Sequence, residues 1–252
     1  MNTRVQAEKA EQFRKLHHGP RMLVLANAWD VVSARILEEC GHPAIATSSA
    51  AVAFSRGYPD GQRISRDEML DVVARIARAV RAPVTADLEA GYGTTVKDMA
   101  ETVKATIGAG AIGMNLEDVT GDDESSHVAL PLQVEKIRAI RETAKSLGVP
   151  FVLNARTDIY LMPIGPEATR FERTVERLRA YRDAGADCLF APGRTGKNRG
   201  SSVKRGFGDH ARRNGGRAAS WKGNVANALL RDDVRWSNSL RRLESHDESS
   251  RK

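Results

Sequence analysis

Short apolar runs alternate with longer amphipathic stretches over the first 190 or so residues of the chain. The apolar runs predict six strands, over residues 22–26, 44–47, 80–89, 111–116, 151–155 and 188–190. Apolar positions at helical spacing predict helices between them, over residues 31–39, 66–80, 95–109, 131–147 and 166–184. Strands that alternate with helices in this way are typical of a parallel α/β sheet.

The sustained repetition favours one particular parallel architecture, a (β/α)₈ TIM-type barrel, over an open doubly wound sheet. A dinucleotide-binding Rossmann fold is disfavoured, because no Gly-x-Gly-x-x-Gly motif follows the first predicted strand. The length of 252 residues suits one large barrel domain. The pattern stops after the sixth strand, so we expect an incomplete barrel over residues 1–193 and a distinct tail over residues 194–252.

Two carboxylates, Asp87 and Glu89, stand at the end of the third predicted strand, and Glu117 follows the fourth. Alternate residues of a strand share a face, so we expect Asp87 and Glu89 to point the same way. The carboxyl ends of barrel strands meet at one face, where three carboxylates predict a site for Mg²⁺ or Mn²⁺. Zinc is disfavoured because these strand ends carry neither Cys nor His. The alternative is a solvated strand end with two acids placed there by chance.

Two further strand ends carry groups that suit an anionic ligand. Arg156 can bind a carboxylate or phosphonate through two parallel hydrogen bonds, and Asn154 and Asp158 share its face of the fifth strand. Hydroxyl and backbone N–H donors suited to an oxyanion stand at Thr47, Ser48 and Ser49. The alternatives are a structural ion pair of Arg156 with Asp118 or Asp158, and a simple helix cap at residues 47–49.

The net charge of +7 belongs to the tail. Residues 194–252 hold 15 Lys/Arg and 6 Asp/Glu, whereas residues 1–193 hold 24 and 26. The tail is rich in Arg, Ser and Gly and poor in Leu, Ile, Val and Phe, a composition typical of disorder. Our hypothesis is out-of-frame translation after a frameshift near Gly193, and a genuine Arg-rich appendage is the alternative. Trp221 and Trp236 would suit a nucleic-acid surface, but no recognised binding motif accompanies them, so nucleic acid is not an expected partner.

The remaining features favour a cytoplasmic chain. Cys40 and Cys188 match no metal or redox spacing, and we expect both to be buried free thiols in a reducing compartment. No apolar run reaches the roughly 18 residues that span a bilayer. The polar, partly acidic segment Met1 to Glu11 resembles neither a secretory signal nor a transit peptide.

Five segments of the chain stand in a recognisable order. They are NAWDVVSAR at 27–35, TSS through GYPDG at 47–61, DLEAGYG at 87–93, NLED at 115–118 and NARTD at 154–158. Together they resemble the isocitrate lyase/phosphoenolpyruvate mutase family, and DLEAGYG is similar to its metal-binding signature. The resemblance implies an enzyme that uses Mg²⁺ (or Mn²⁺) to cleave a C–C bond of a small 2-hydroxy or 2-oxo carboxylic acid through an enolpyruvate-like intermediate. It also implies a homo-oligomer, a tetramer that exchanges a C-terminal helix.

The resemblance assigns roles to individual residues. It implies Asp87 as the direct metal ligand, Glu89 and Glu117 binding through metal-bound water, and Asp60 close to the metal. It implies that residues 47–49 cradle the pyruvyl carboxylate or the enolate oxygen and that Arg156 holds the rest of the substrate. The implied substrate-binding set is Thr47, Ser48, Ser49, Asp87, Asn154 and Arg156.

The chain departs from the family's lyases at two places. Their loop after the fourth strand carries a Lys-Lys-Cys-Gly-His-type motif with an acid/base Cys, whereas residues 119–127 here are VTGDDESSH. His127 is then the one candidate proton carrier of this loop, or else a solvated loop histidine, and the candidate catalytic residues are Arg156, Asp60 and His127. The sixth strand ends in Ala-Pro-Gly at 191–193 rather than in a Glu. Phosphonate C–P mutase or hydrolase activity, or an inactive truncated family member, are the alternative functions.

Overall fold

The computed structural model describes residues 3–20, 22–121, 127–162 and 164–193, together with the backbone of residues 228–229. Its strands are β1 Ala26–Ala28, β2 Ile45–Thr47, β3 Val84–Asp87, β4 Gly113–Leu116, β5 Val152–Arg156, β6 Cys188–Phe190 and β7 Ala228–Leu229. Its helices are α1 Thr3–His17, α2 Val31–Glu39, α3 Ser49–Ser55, α4 Arg66–Ala79, α5 Val96–Gly108, α6 Leu130–Ser146 and α7 Arg170–Asp183. A 3₁₀ turn, Glu167–Thr169, precedes α7.

Strands β1 to β6 lie side by side in chain order, and each pairs with the next in parallel. A helix follows every one of the first five strands, so the chain winds in one direction around the sheet. This confirms the predicted α/β class and the TIM-type winding of six strands. All loops that follow the strands consequently leave from one edge of the sheet, the edge where barrel enzymes carry their chemistry.

The short strand β7 departs from the sequence prediction. Residues 194–252 show no strand pattern, yet Ala228 and Leu229 pair with Leu189 and Cys188 of β6. The pairing is antiparallel, so β7 is not the parallel seventh strand that would continue a (β/α)₈ barrel. The hypotheses of disorder and of a frameshift concern residues that otherwise lie outside the described part of the chain, as do Trp221 and Trp236.

Local sequence signals explain where the helices begin. Asp30 caps α2 and Thr95 caps α5, each in a reciprocal capping box with the residue three positions on. Ser65 accepts the Glu68 N–H at the start of α4. The buried face of α4 carries Met69, Leu70, Val72, Val73, Ile76 and Ala77. This apolar face packs on the sheet, and the polar side chains gather at the carboxyl ends of the strands.

Helix α1 covers the amino ends of the strands, a feature that the hydrophobic pattern did not predict. Gln6 Nε2 donates to the carbonyl oxygens of Ile107 (2.8 Å) and Ala111 (2.9 Å), just before β4. Arg14 pairs with Asp187, just before β6, at 3.3 Å. These contacts place α1 at the edge of the sheet opposite to the polar strand ends.

The two cysteines and the membrane prediction have definite outcomes. Both thiols are free, and Cys188 is buried, which raises its pKa to about 12. Cys40 is exposed, so its predicted burial is wrong, because it occupies the C-terminal cap of α2 rather than a core position. No helix in the described ranges is both long enough and apolar enough to cross a membrane.

Candidate active site at the carboxyl ends of the strands

Asp87 is the last residue of β3, and one of its two carboxylate oxygens accepts hydrogen bonds from the protein. The backbone N–H and the hydroxyl of Ser49 both donate to Asp87 Oδ2, at 3.0 and 2.8 Å. The Asp87 N–H in turn donates to Thr47 Oγ1 at 2.9 Å. Asp87 Oδ1 is buried and accepts no hydrogen bond within the described residues. One carboxylate oxygen is therefore fixed, and the other is left for a ligand.

Residues 47–49 have two structural roles. Ser48 caps α3 by accepting the Ala51 N–H at 3.3 Å, so the helix-cap alternative is confirmed for this residue. Thr47 and Ser49 instead hold Asp87, at the distances given above. The contribution of all three residues to substrate binding stays a prediction.

Glu89 lies beyond the end of β3 and adopts a left-handed backbone conformation, with φ of 52°. The prediction that Asp87 and Glu89 share a strand face is therefore wrong, because the strand ends before Glu89. Its carboxylate is nevertheless buried, and burial together with the nearby charges of Asp60 and Asp87 raises the pKa of Glu89 to about 7. The Tyr92 hydroxyl donates to Glu89 Oε1 at 3.4 Å.

Asp60 stands outside this buried group. It is exposed, and its Oδ1 accepts the N–H of the neighbouring Gly61 at 3.0 Å. Its charge is still the second largest influence on the pKa of Glu89, after burial. Asp60 therefore lies close enough to influence the site electrostatically, but it is not one of the buried carboxylates.

Arg156, the last residue of β5, bridges two carboxylates. Its Nη1 lies 2.6 Å from Glu117 Oε1, and its Nε lies 2.6 Å from Asp158 Oδ1. The guanidinium also lies 5.6 Å from the centre of the Phe190 ring. The ion-pair alternative is confirmed for Asp158 and extends to Glu117, whereas Asp118 is paired elsewhere. Arg156 is therefore held in place on two sides.

The charges at this edge do not balance. Burial raises the pKa of Glu117 well above its ordinary value even though the Arg156 charge opposes the shift. The buried or half-buried carboxylates outnumber the two guanidinium groups that neutralise them, Arg156 and Arg177. The acids are Asp87, Glu89, Glu117, Asp118 and Asp158. An excess of buried negative charge is costly unless a cation or a bound proton compensates it, and the raised pKa values of Glu89 and Glu117 reflect this cost.

A divalent cation would suit this edge of the sheet. The donors are all hard carboxylate oxygens, and the buried Asp87 Oδ1 has no other partner in the described ranges. By themselves, however, no three His, Cys, Asp or Glu side chains of those ranges converge into a cluster that would hold a metal. Glu117 is bonded to Arg156, so the predicted direct meeting of Asp87, Glu89 and Glu117 is not seen.

Asn154 lies on the same face of β5 as Arg156 and next to Asn115 of β4. Its Nδ2 donates to Asn115 Oδ1 at 2.9 Å. Its own Oδ1 is buried and has no hydrogen bond to any described residue. Asn154 thus presents an acceptor to whatever binds between β4 and β5, which fits its expected place in the substrate-binding set.

His127 belongs to a buried cluster and not to the solvent. Its side chain is 6% exposed, and its Nε2 lies 3.2 Å from Asp118 Oδ2. The interpretation as a solvated loop histidine is therefore wrong, and its role as a proton carrier stays a prediction. The same oxygen accepts from Tyr181 (2.7 Å) and Arg177 (3.1 Å) of α7.

The sequence analysis missed Arg177 and Tyr181. The two residues are four positions apart, so they share one face of α7, and that face is buried. The available signal was a charged residue placed at the helical spacing of a core position. This spacing does not indicate that Arg177 neutralises a buried aspartate, because Asp118 lies 59 residues away in the chain.

Comparison with known proteins places this geometry in context. The family model described as phosphoenolpyruvate phosphomutase matches residues 13–207. The chain belongs to the phosphoenolpyruvate mutase/isocitrate lyase family. It is 31% identical to the 2-methylisocitrate lyase of Bacillus subtilis (strain 168) over 191 residues, which are 73% of this chain and 60% of that protein. The chain spans 60% to 64% of the length of the first curated relatives that it matches.

Solved structures of family members share the fold. A protein from Burkholderia cenocepacia J2315, provisionally assigned as a lyase/mutase, is 44% identical with a TM-score of 0.71, over 76% of this chain and 67% of that one. Oxaloacetate acetylhydrolase in complex with its product oxalate is 32% identical with a TM-score of 0.63, over 71% of this chain and 61% of that one.

Proposed function

We propose that this chain cleaves a C–C bond of a small 2-hydroxy or 2-oxo carboxylic acid and uses Mg²⁺ or Mn²⁺ to do so. The observation that carries the proposal is the state of Asp87, with one oxygen fixed by Ser49 and the other buried without a partner in the described residues. The family's lyases and the oxalate complex of a relative support the same substrate class.

In this proposal Asp87 would hold the cation, with Glu89 and Glu117 close to it, and Asp87 Oδ1 is the oxygen available for the task. Bound there, a divalent cation supplies Lewis-acid stabilisation of the negative charge that develops on the substrate oxygen as the bond breaks. The two fixed hydrogen bonds from Ser49 orient the Asp87 carboxylate for this task.

Arg156 is the residue that we propose to hold the substrate carboxylate. Its guanidinium carries five N–H donors, and the bonds to Glu117 and Asp158 fix its plane and use only some of these donors, which leaves others for a ligand. Asn154 Oδ1 accepts a hydrogen bond from the substrate, for which a hydroxyl group is the natural donor. His127 lies on Asp118, which favours an anchoring role for it over proton transfer.

A turnover assay tests this proposal. The purified chain is incubated with Mg²⁺ and a panel of 2-hydroxy and 2-oxo di- and tricarboxylates, and products are followed by proton NMR. We expect cleavage of at least one acid, dependence on the metal, and loss of turnover in Asp87→Ala. Cleavage that persists in Asp87→Ala would contradict the assigned site.

C–P bond chemistry is the second candidate function, because the matching family model is described as a phosphomutase. Phosphonopyruvate in the same panel distinguishes it, with phosphorus NMR as the readout. Turnover of the phosphonate alone would favour this candidate. An inactive truncated member would turn over nothing and would show no cooperative thermal unfolding.

Assembly and location are proposals that rest on less. We propose a homo-oligomer, as the family resemblance implies, and a cytoplasmic location, in which both free thiols stay reduced. Light scattering of the purified chain at several concentrations tests the first, and fractionation of cells that express it tests the second.

A further inference from the structure

The buried carboxylate of Asp118 is connected to the proposed substrate arginine through Asp158. It follows Glu117, is fully buried, and uses both of its oxygens. Oδ2 accepts from three side chains: Tyr181 at 2.7 Å, Arg177 at 3.1 Å and His127 at 3.2 Å. Arg177 supplies the positive charge that this buried carboxylate needs, so Asp118 does not compete with Glu117 or Asp158 for Arg156.

The other oxygen connects this cluster to the candidate active site. Asp118 Oδ1 accepts the backbone N–H of Asp158 at 3.0 Å. The side chain of Asp158 in turn holds Arg156 Nε at 2.6 Å. A continuous series of short contacts therefore leads from α7 through Asp118 and Asp158 to the guanidinium of Arg156.

The same cluster fixes the base of the loop between β4 and α6. Arg177 Nη2 donates to the carbonyl oxygen of Val128 at 2.7 Å, and the Val128 N–H donates to the carbonyl oxygen of Asp118 at 2.8 Å. Three separate elements, β4, β5 and α7, thus meet at one carboxylate. A buried carboxylate with this many hydrogen-bond partners is expensive to rearrange, so its geometry is well defined.

We propose that Asp118 is a positioning residue, which sets the orientation of Arg156 by fixing Asp158. Arg156 lies between two carboxylates, and it can keep both bonds only while Asp158 holds its place. Asp118 touches neither the proposed substrate nor the cation. The inference relies on the proposed function in one respect, that Arg156 binds the substrate carboxylate.

Hydrogen exchange at Arg156 Nε tests the positioning directly. The full chain is labelled with ¹⁵N-arginine, the Arg156 Nε–H signal is assigned by its disappearance in Arg156→Lys, and its exchange rate is measured in Asp118→Asn. In this variant the side-chain NH₂ group replaces Oδ2 and faces the three side chains that donate to that oxygen, which disrupts the cluster. We expect exchange at Arg156 to accelerate by about tenfold or more, as for the loss of one charged hydrogen bond.

Asp187→Asn is a matched control, because Asp187 makes its contact at the amino end of β5, and Arg156 lies at the carboxyl end of that strand. Asp187 also accepts a β5 backbone N–H, that of Leu153 at 2.8 Å, and it also pairs with an arginine, Arg141 at 2.7 Å. We expect Asp187→Asn to accelerate exchange at Arg141 and to leave Arg156 unchanged. Equal exchange at Arg156 in wild type and a folded Asp118→Asn variant would overturn the proposal.

Tyr181→Phe keeps the test informative if Asp118→Asn does not fold. It removes one donor to Asp118 Oδ2, and with it the hydroxyl that accepts from Arg177 Nη1 at 2.8 Å, but it leaves the carboxylate and its pair with Arg177. We expect a smaller acceleration at Arg156, of about two- to fivefold. An unchanged Arg156 signal in folded Tyr181→Phe would contradict transmission through Asp118, whatever the exchange rate at Arg177, which loses its own bond to the Tyr181 hydroxyl.

Oxalate binding in the presence of Mg²⁺, measured by titration calorimetry, tests whether the positioning of Arg156 affects ligand affinity. We expect Asp118→Asn to weaken oxalate binding by about tenfold, and Asp187→Asn to leave it unchanged. Failure of the wild-type chain to bind oxalate would count against the proposed function alone, because the exchange rates at Arg156 still decide the positioning role.

Discussion

The two ends of the parallel sheet differ in how well their polar groups are satisfied. At the amino ends, Gln6 of α1 bonds two backbone carbonyl oxygens, and Asp187 pairs with both Arg14 and Arg141. At the carboxyl ends, Asp87 Oδ1 has no partner in the described ranges, and buried acids have raised pKa values. Unsatisfied polar groups of this kind are typical of ligand sites, which supports our proposal that the amino ends contribute stability and the carboxyl ends contribute chemistry.

We expect the largest effect from a substitution at Asp87, which should lower activity and not stability. Asp87→Asn keeps the shape of the side chain and removes the charge that we propose to hold the cation. We expect Mg²⁺-dependent turnover to fall by more than about a hundredfold, because a Lewis-acid metal contributes several kcal/mol to such reactions. Steady-state kinetics measure this. Without metal, we expect the free energy of unfolding to be unchanged or higher, since an uncompensated buried charge is gone.

Asp187→Asn is the reverse experiment, at the amino ends. The substitution breaks the pairs with Arg14 and Arg141 and weakens the bond from the Leu153 N–H. We expect the free energy of unfolding to fall by about 2 kcal/mol, measured by urea denaturation. A fall in kcat that exceeds the loss of folded protein would contradict the division between the two ends.

Gln6→Leu sharpens the same comparison at a single side chain. It removes the Gln6 donor from the carbonyl oxygens of Ile107, which still accepts the Gly110 N–H at 2.9 Å, and of Ala111, so we expect a loss of about 1–2 kcal/mol in the free energy of unfolding. Gln12→Leu is the control, because Gln12 lies on the same helix but is exposed. Equal destabilisation by the two variants would show that α1 does not depend on these bonds.

The smallest expected effect is a pH dependence at the amino ends. Burial lowers the pKa of His17, against the opposing effects of the Phe13 carbonyl and Asp187. The unfolded chain then binds the proton more readily, so this contribution to stability is complete above about pH 6.5 and is lost as the pH falls through the folded pKa. Urea denaturation between pH 7.5 and 5 should show a shallower decline for His17→Leu than for wild type. Parallel curves would contradict this assignment.

Much of the α/β framework was predictable from sequence, because its signals are local. Helix α4 was predicted over residues 66–80 and runs over Arg66–Ala79, since Ser65 caps it and its apolar residues have clear helical spacing. The sixth strand was predicted over residues 188–190 and observed there. Both elements combine a start or stop signal with a buried pattern of the correct period.

The elements that were missed lack such signals. The buried stripe of α1 consists of Gln6, Ala10, Phe13 and His17, so half of it is polar and its burial depends on carbonyl groups far along the chain. Helix α3 is seven residues long and begins directly after β2, where a helix cap was an alternative but no helix was predicted. Partners that are distant in sequence decide both elements.

The candidate site shows the same limit at the level of side chains. The sequence indicated which strand ends carry acids, but alternation along the strand failed at Glu89, where the backbone leaves the β region. It also did not indicate that Glu117 bonds to Arg156, or that Asp118 bonds to α7. These pairings depend on the relative positions of neighbouring strands and helices, which no local pattern contains.

Thermal unfolding of the full chain with Mg²⁺, with oxalate, with both and with neither tests the assignment of the carboxyl ends most directly. A site that needs the cation to bind the acid predicts a rise of several degrees in Tm only when both are present, as expected for a ligand well above its Kd. The rise should be absent in Asp87→Asn. A cooperative transition whose Tm is the same under all four conditions would contradict the proposed site.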